Sequence, residues 1–141
     1  MGIRRKARES ALQILYEMDL TGLGAEKAMS AFCSSFNIPE QAHDFCLRLV
    51  KGVETHRGQI DALVNRHSEH WRLDRMSRVD RNILRLAAFE LLYCDDIPPK
   101  VTINEAVELG KKFGTEDSGP FINGILDAIS HQLCQGGSDK T

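Results

Sequence analysis

The chain has 141 residues, a net charge of −2 and a hydrophobic fraction of 42%. That length suits one domain or two tightly joined halves, and the composition supports a buried core and argues against wholesale disorder. No apolar run approaches the roughly 20 residues that cross a bilayer, no apolar signal region follows the charged start, and position 6 lacks the Ser or Thr of a myristoylation signal, so a soluble cytoplasmic protein with no membrane partner is predicted.

Helical periodicity dominates the chain. The first helix is predicted from Ile3 to Leu20, with Ile3, Ala7, Ala11, Ile14, Leu15 and Met18 on one core-facing arc. Gly22 and Gly24 stop it. A second helix covers Ala25 to Phe36, and Pro39 suits the first turn of the next. That helix carries Phe45, Leu47, Leu49, Val50 and Val53; its pattern breaks near Thr55 to Gly58 and resumes at Ile60, Leu63 and Val64, so 39–67 is one bent helix or two. A hinge is expected in the polar stretch from His70 to Met76 around Trp71.

Ser77 with Asp80 three residues on reads as a capping-box variant that opens a helix. The following run, Ile83 to Tyr93, is apolar nearly all round, which marks a central, surrounded helix. Pro98-Pro99 ends it. Thr102 is predicted to cap the next helix with Glu105, and Gly114 to close it. Thr115 is predicted to open the last helix, with Glu116 and Asp117 in its first turn and Phe121, Ile122, Ile125, Leu126 and Ile129 on its buried side. The expected fold is all-α: a bundle of about seven helices, with two three-helix sub-bundles (about 1–70 and 77–134) sharing the hydrophobic central helix and a flexible tail over 135–141.

Motifs for chemistry are missing. No glycine-rich phosphate loop or G-x-S-x-G stands in the sequence. His67 and His70, and likewise His131 and Cys134, are three apart but lack further ligands at metal-site spacing, so no metal is expected. Cys33, Cys46, Cys94 and Cys134 form no C-x-x-C pair and read as reduced, buried small residues.

One local feature breaks a folding rule. Arg4, Arg5, Lys6 and Arg8 crowd the first two turns of helix one, where cations oppose the helix dipole by about 0.3–1 kcal/mol each. Such violations often mark function, and an Arg/Lys cluster on a helix end is a phosphate-binding footprint. A solvated basic end is the competing reading. Tyr16 falls near the azimuth of Arg5 and Glu9, outside the apolar arc. It either presents an exposed aromatic to a base or a protein partner, or lies partly buried under the second helix.

Several segments together resemble the NusB family. Arg4-Arg5-Lys6-Ala7-Arg8-Glu9-Ser10-Ala11-Leu12-Gln13-Ile14-Leu15-Tyr16 is similar to its arginine-rich first helix, and Val79 to Leu91 to its central helix. Ile97-Pro98-Pro99-Lys100-Val101-Thr102-Ile103-Asn104-Glu105-Ala106 is the most specific block; Phe113 to Ser118 and Phe121 to Asp127 complete the set in the family's order and spacing. The resemblance implies two three-helix bundles plus a further helix, no cofactor and no catalysis. It implies pairing with NusE, a small-subunit ribosomal protein, and binding of boxA-type single-stranded RNA. The pair would act with the transcription elongation complex to promote read-through, notably in ribosomal RNA operons. By position, Arg4, Arg5 and Arg8, helped by Lys6, would contact RNA, with Asp117 and Phe121 at or near the RNA edge. Tyr16 and Asp80 would meet NusE. Where family members often carry a basic residue, this chain has Pro120, so any phosphate contact that the resemblance implies there is lost.

Two other readings remain open at this point. A NusB-like domain also fronts some ribosomal RNA cytosine methyltransferases, although no cofactor-binding βαβ region or catalytic Cys segment is present here. A purely protein-binding helical adaptor is the other. Exposed apolar residues on helix one would also allow a homodimer.

Overall fold

The structure is a computed structural model that describes residues 2–69 and 71–139, with 136–139 as backbone alone. Among the described residues it is all-α: α1 (Ile3–Thr21), α2 (Ala25–Ser35), α3 (Glu40–Thr55), α4 (Arg57–His67), α5 (Arg78–Tyr93), α6 (Pro99–Phe113) and α7 (Ser118–Asp139), with a 3₁₀ turn at Leu73–Arg75.

The punctuation of the sequence accounts for most of these bounds. Gly22 takes φ 79° just past α1 and its N–H donates to Met18 O at 2.8 Å, a left-handed cap that a side chain would disfavour. The break between α3 and α4 falls at His56, so 39–67 is two helices. The Ser77 hydroxyl accepts from Asp80 N–H at 3.0 Å and opens α5 as expected. Over the expected hinge, Leu73 and Met76 are buried and Leu73 N–H donates to Asn65 Oδ1 at 2.7 Å, which ties the turn to α4. His70, at the start of that stretch, lies outside the described residues.

Three local expectations are corrected. Thr102 does not cap α6: the helix begins at Pro99, whose missing N–H costs nothing in a first turn. Thr102 is instead buried inside the helix. Asp117 stands just before α7 rather than in its first turn; there the Ser118 hydroxyl accepts from Thr115 N–H at 2.9 Å and the Thr115 hydroxyl from Asp117 N–H at 3.3 Å. Helix α7 also continues to Asp139, past the expected start of the tail at 135; residues 140 and 141 lie outside the described residues.

Helix α5 is the pillar. It packs on α1, α3, α4, α6 and α7. Around it, α1, α2 and α3 touch one another, α6 lies along α7, and α4 joins α3 to α7. Ile83, Leu84, Leu86, Ala87, Ala88 and Phe89 are buried as the apolar run requires. Asn82, Arg85 and Glu90 are buried with them, and these polar residues set the register of α1 against α5. The two helices run antiparallel, with an ionic knot at each end of their seam. At one end Arg8 of α1 meets Glu90 of α5. At the other, Asp19 of α1 accepts from Arg81 Nε at 2.7 Å, Asn82 Nδ2 at 3.0 Å and Arg85 Nη1 at 3.4 Å, while Arg85 also grips Asp61 of α4 at 2.9 and 3.2 Å. Because the charge signs are reversed between the knots, a parallel packing would set like charges together.

The cysteines divide. Cys46 and Cys94 are buried, whereas Cys33 and Cys134 are exposed, so the uniform reading as core residues holds for only two.

Candidate nucleic-acid and partner interface

The predicted basic residues come together at the start of α1 but do not share one environment. Lys6 is exposed and makes no side-chain hydrogen bond or ion pair with the described residues. Arg5 is exposed on one side and donates to Glu105 of α6 through Nε at 3.0 Å and Nη2 at 2.6 Å. This fork raises the Arg5 pKa and holds the Glu105 carboxyl below its ordinary range. Arg4 is half exposed, its guanidinium 4.5 Å above the Phe45 ring, with Nη2 donating to Asp96 Oδ2 at 3.3 Å.

Arg8 is different. Its side chain is only 4% exposed and donates twice, at 2.8 Å each, to Glu90, itself 2% exposed. Thr102 Oγ1 donates to the same carboxylate at 3.0 Å, and Glu105 stands 3.7 Å from Arg8 Nη1. Burial opposes the charge on Arg8, yet the hydrogen bonds and field of Glu90 more than offset it and raise its pKa. The expectation that Arg8 reaches RNA meets this geometry: the guanidinium is enclosed and joins α1 to α5 and α6. The residue that sequence reasoning missed is Arg48 of α3, which lies across Asp96 from Arg4. No local signal places position 48 beside position 4; only the packing of α3 on α1 does.

A cleft of about 360 Å³ opens on this basic end between α1 and the α5–α6 loop, lined by Arg4, Arg5, Asp96, Ile97, Pro98 and Val101 among others.

Tyr16 is half-buried, which agrees with the reading of a partly buried aromatic beside the second helix. It lines an apolar groove of about 300 Å³ with Leu12 and Gln13 of α1, Phe32 and Phe36 of α2, Val79 of α5 and Phe113 of α6. The Arg78 guanidinium lies 5.8 Å from its ring. The exposed large apolar residues of α1 are Ile3 and Leu20, at opposite ends, so α1 itself presents no continuous stripe for a second copy.

The structure brings Asp80, Asp117 and Phe121 together. They share a cavity of about 230 Å³ with Trp71, Arg75, Met76 and Ser77, at the point where the starts of α5 and α7 meet. Asp80 Oδ1 is buried there and accepts from no donor among the described residues. A buried acceptor without a donor is costly unless something supplies one. His67, paired with His70 in the sequence, is hydrogen-bonded to Gln132.

The NusB family model matches residues 5–131, which spans every helix except the ends of the first and last. The chain belongs to the NusB family. It is 54% identical over 137 residues to the transcription antitermination protein NusB of Myxococcus xanthus, covering 94% of this chain and 98% of that one. The corresponding protein of Desulfosudis oleivorans is 49% identical over 142 residues, covering 99% and 91%. Among solved structures, one of the antitermination factors NusB and NusE in complex with double-stranded RNA superposes with a TM-score of 0.86 at 32% identity, covering 94% of this chain and 98% of that one. These NusB relatives are named for antitermination rather than for a catalysed reaction. Among the described residues no helix is long and apolar enough to cross a membrane, and no group of three or more His, Cys, Asp or Glu could hold a metal ion.

Proposed function

We propose that this protein is an RNA-binding antitermination factor that pairs with a NusE-type ribosomal protein, binds boxA-type single-stranded RNA and acts with the elongation complex in the bacterial cytoplasm. The observation that carries the RNA half is the exposed cationic rim at the start of α1. Arg4, Arg5 and Lys6 keep solvent-facing donors there, beside an open cleft. Arg8 supports that rim from below by fixing α1 on α5 and α6, rather than by touching phosphate. Asp117 and Phe121 would extend the RNA edge, in the cavity they share with Asp80.

The protein half rests on the Tyr16 groove and, in a separate cavity, on Asp80, whose buried oxygen has no donor among the described residues. A groove walled by Leu12, Phe32, Phe36, Val79 and Phe113 fits a folded partner better than a flexible nucleotide.

The test is a titration of labelled boxA RNA and a scrambled RNA, each with and without NusE, over a range of salt. Arg5→Ala and Lys6→Ala should each lower the salt slope by about 0.7 log units, the value for one phosphate contact on a single strand. Tyr16→Ala and Asp80→Ala should weaken NusE capture and leave RNA binding by the chain alone intact. Parent-like slopes in both cation variants would remove the RNA assignment. Undiminished NusE capture by both others would remove the partner assignment, and NusE capture indifferent to boxA would favour a purely protein-binding adaptor.

A further inference from the structure

The rim holds a site that neither the sequence pattern nor the family match assigns. Arg4 of α1 and Arg48 of α3 both reach the carboxylate of Asp96, in the loop between α5 and α6. Arg4 Nη2 donates to Oδ2 at 3.3 Å; Arg48 Nη2 donates to Oδ1 at 3.0 Å and its Nη1 approaches Oδ2 at 3.5 Å. Two guanidiniums that converge on one oxygen stand within reach of a single oxyanion. Phe45, one turn before Arg48 on α3, lies under the Arg4 guanidinium and fixes its plane. We propose that Arg4 and Arg48 form a clamp for one backbone phosphate of bound RNA, which Asp96 occupies in the free protein and vacates on binding.

The energetics favour exchange. The three side chains are 41–50% exposed, so each Asp96 pair is a solvent-screened surface ion pair that a competing anion can displace. A phosphodiester offers the same planar donors a matching pair of anionic oxygens, and the RNA releases counterions as it binds. Two cations share one carboxylate, so the clamp carries a surplus positive charge even when Asp96 is in place. The Phe45 ring under Arg4 keeps its guanidinium in place whether or not Asp96 is engaged. Its carboxyl is pulled down to about 2, first by the hydrogen bond from Arg48 and also by that from Arg4, so it stays ionised at any ordinary pH and the exchange is one of anions rather than of protons.

The inference rests on the RNA reading above and adds a contact from α3. The probe is labelled single-stranded boxA RNA, titrated over a range of salt against the parent chain, Arg5→Gln, Arg48→Gln, Asp96→Asn and Asp95→Asn, with thermal melts to show that each is folded. Asp95 is the exposed neighbour outside the clamp and controls for net charge. Arg48→Gln should lower the salt slope by about 0.7 log units, as one lost phosphate contact does. Asp96→Asn should tighten binding about two- to fivefold by removing the competing ion pairs, and more than Asp95→Asn does. The gain should vanish in the Arg48→Gln/Asp96→Asn double variant. If Arg48→Gln keeps the parent slope while Arg5→Gln loses it, the clamp is wrong and the RNA reading stands. Equal gains from Asp95→Asn and Asp96→Asn would also overturn the clamp, leaving a plain charge effect. If neither Arg5→Gln nor Arg48→Gln changes the slope, both readings fall together.

Discussion

Replacing Arg8 separates a structural arginine from a binding one. Arg8→Ala leaves Glu90 buried, charged and short of both its guanidinium donors, with only Thr102 still donating to it. Breaking one side of a buried ion pair costs about 3–5 kcal/mol. A domain of this size melts about 3 °C lower for each kcal/mol, so a fall of about 10–15 °C is expected. The matched change Arg8→Met with Glu90→Met removes both charges and keeps volume, and should recover more than half of the loss, because apolar replacement of a whole buried pair is often nearly neutral. The Thr102 hydroxyl can then turn to a backbone carbonyl one helical turn back, as threonines in helices do. Thermal unfolding followed by circular dichroism measures all three chains, and an RNA titration at a temperature where each is folded completes the test. The salt slope should stay at the parent value in Arg8→Ala. A variant that melts within about 2 °C of the parent, or a double variant no more stable than the single one, would refute the buried-pair argument. Loss of the slope alongside a normal melt would return Arg8 to the RNA face.

Three further outcomes follow from other parts of the fold. A Cβ added at Gly52 of α3 would overlap the ring of Phe89, a core residue of α5, so Gly52→Ala should destabilise by about 1–3 kcal/mol; an unchanged urea midpoint would show that the two helices can part at no cost. Asp19, Glu105 and Asp96 all titrate lower folded than their ordinary 3.8 or 4.5, through bonds from Arg81 and Asn82 (against opposing burial), from Arg5, and from Arg48. The unfolded chain therefore takes up these protons first, so their stabilisation is complete above about pH 5 and is lost as pH falls from there towards about 2; Asp19→Asn should flatten that acid limb in melts taken against pH. Burial pushes the Cys46 thiol up to about 12 and the Cys94 thiol up to about 11, so a maleimide at mildly alkaline pH should label exposed Cys33 well before either, as read by peptide mass mapping.

How much of this was legible in the sequence depends on the range of the interaction. The apolar run 83–89 identified the central helix because burial on all sides leaves no polar face to mask. Ser77 and Gly22 marked helix ends because caps are set by residues within a turn. Thr102 misled because its spacing to Glu105 imitates a capping box, while its hydroxyl in fact answers Glu90, twelve residues back on another helix. Asp117 was misplaced by the short Thr115–Ser118 turn, whose side-chain bonds delay the helix start. Asn82, Arg85 and Glu90 are polar interruptions in or beside the apolar run, and nothing nearby in the sequence reveals that Asp19, Asp61 and Arg8 meet them. Arg48 was silent for the same reason.

The rule broken at the start of α1 is resolved at that same range. Cations in a first turn are locally unfavourable, but each arginine there finds an acid brought by tertiary packing: Asp96 for Arg4, Glu105 for Arg5, Glu90 for Arg8. Part of the violation is therefore architecture, and on its own it was a weaker sign of nucleic acid than its local cost suggested. The buried part, Arg8 with Glu90, is neutral and faces inward. The exposed part is not balanced, because Lys6 pairs with no acid among the described residues and Arg4 shares Asp96 with Arg48. It is this unbalanced outer layer, held at fixed spacing by the balanced inner one, that can exchange a carboxylate for a phosphate without disturbing the fold.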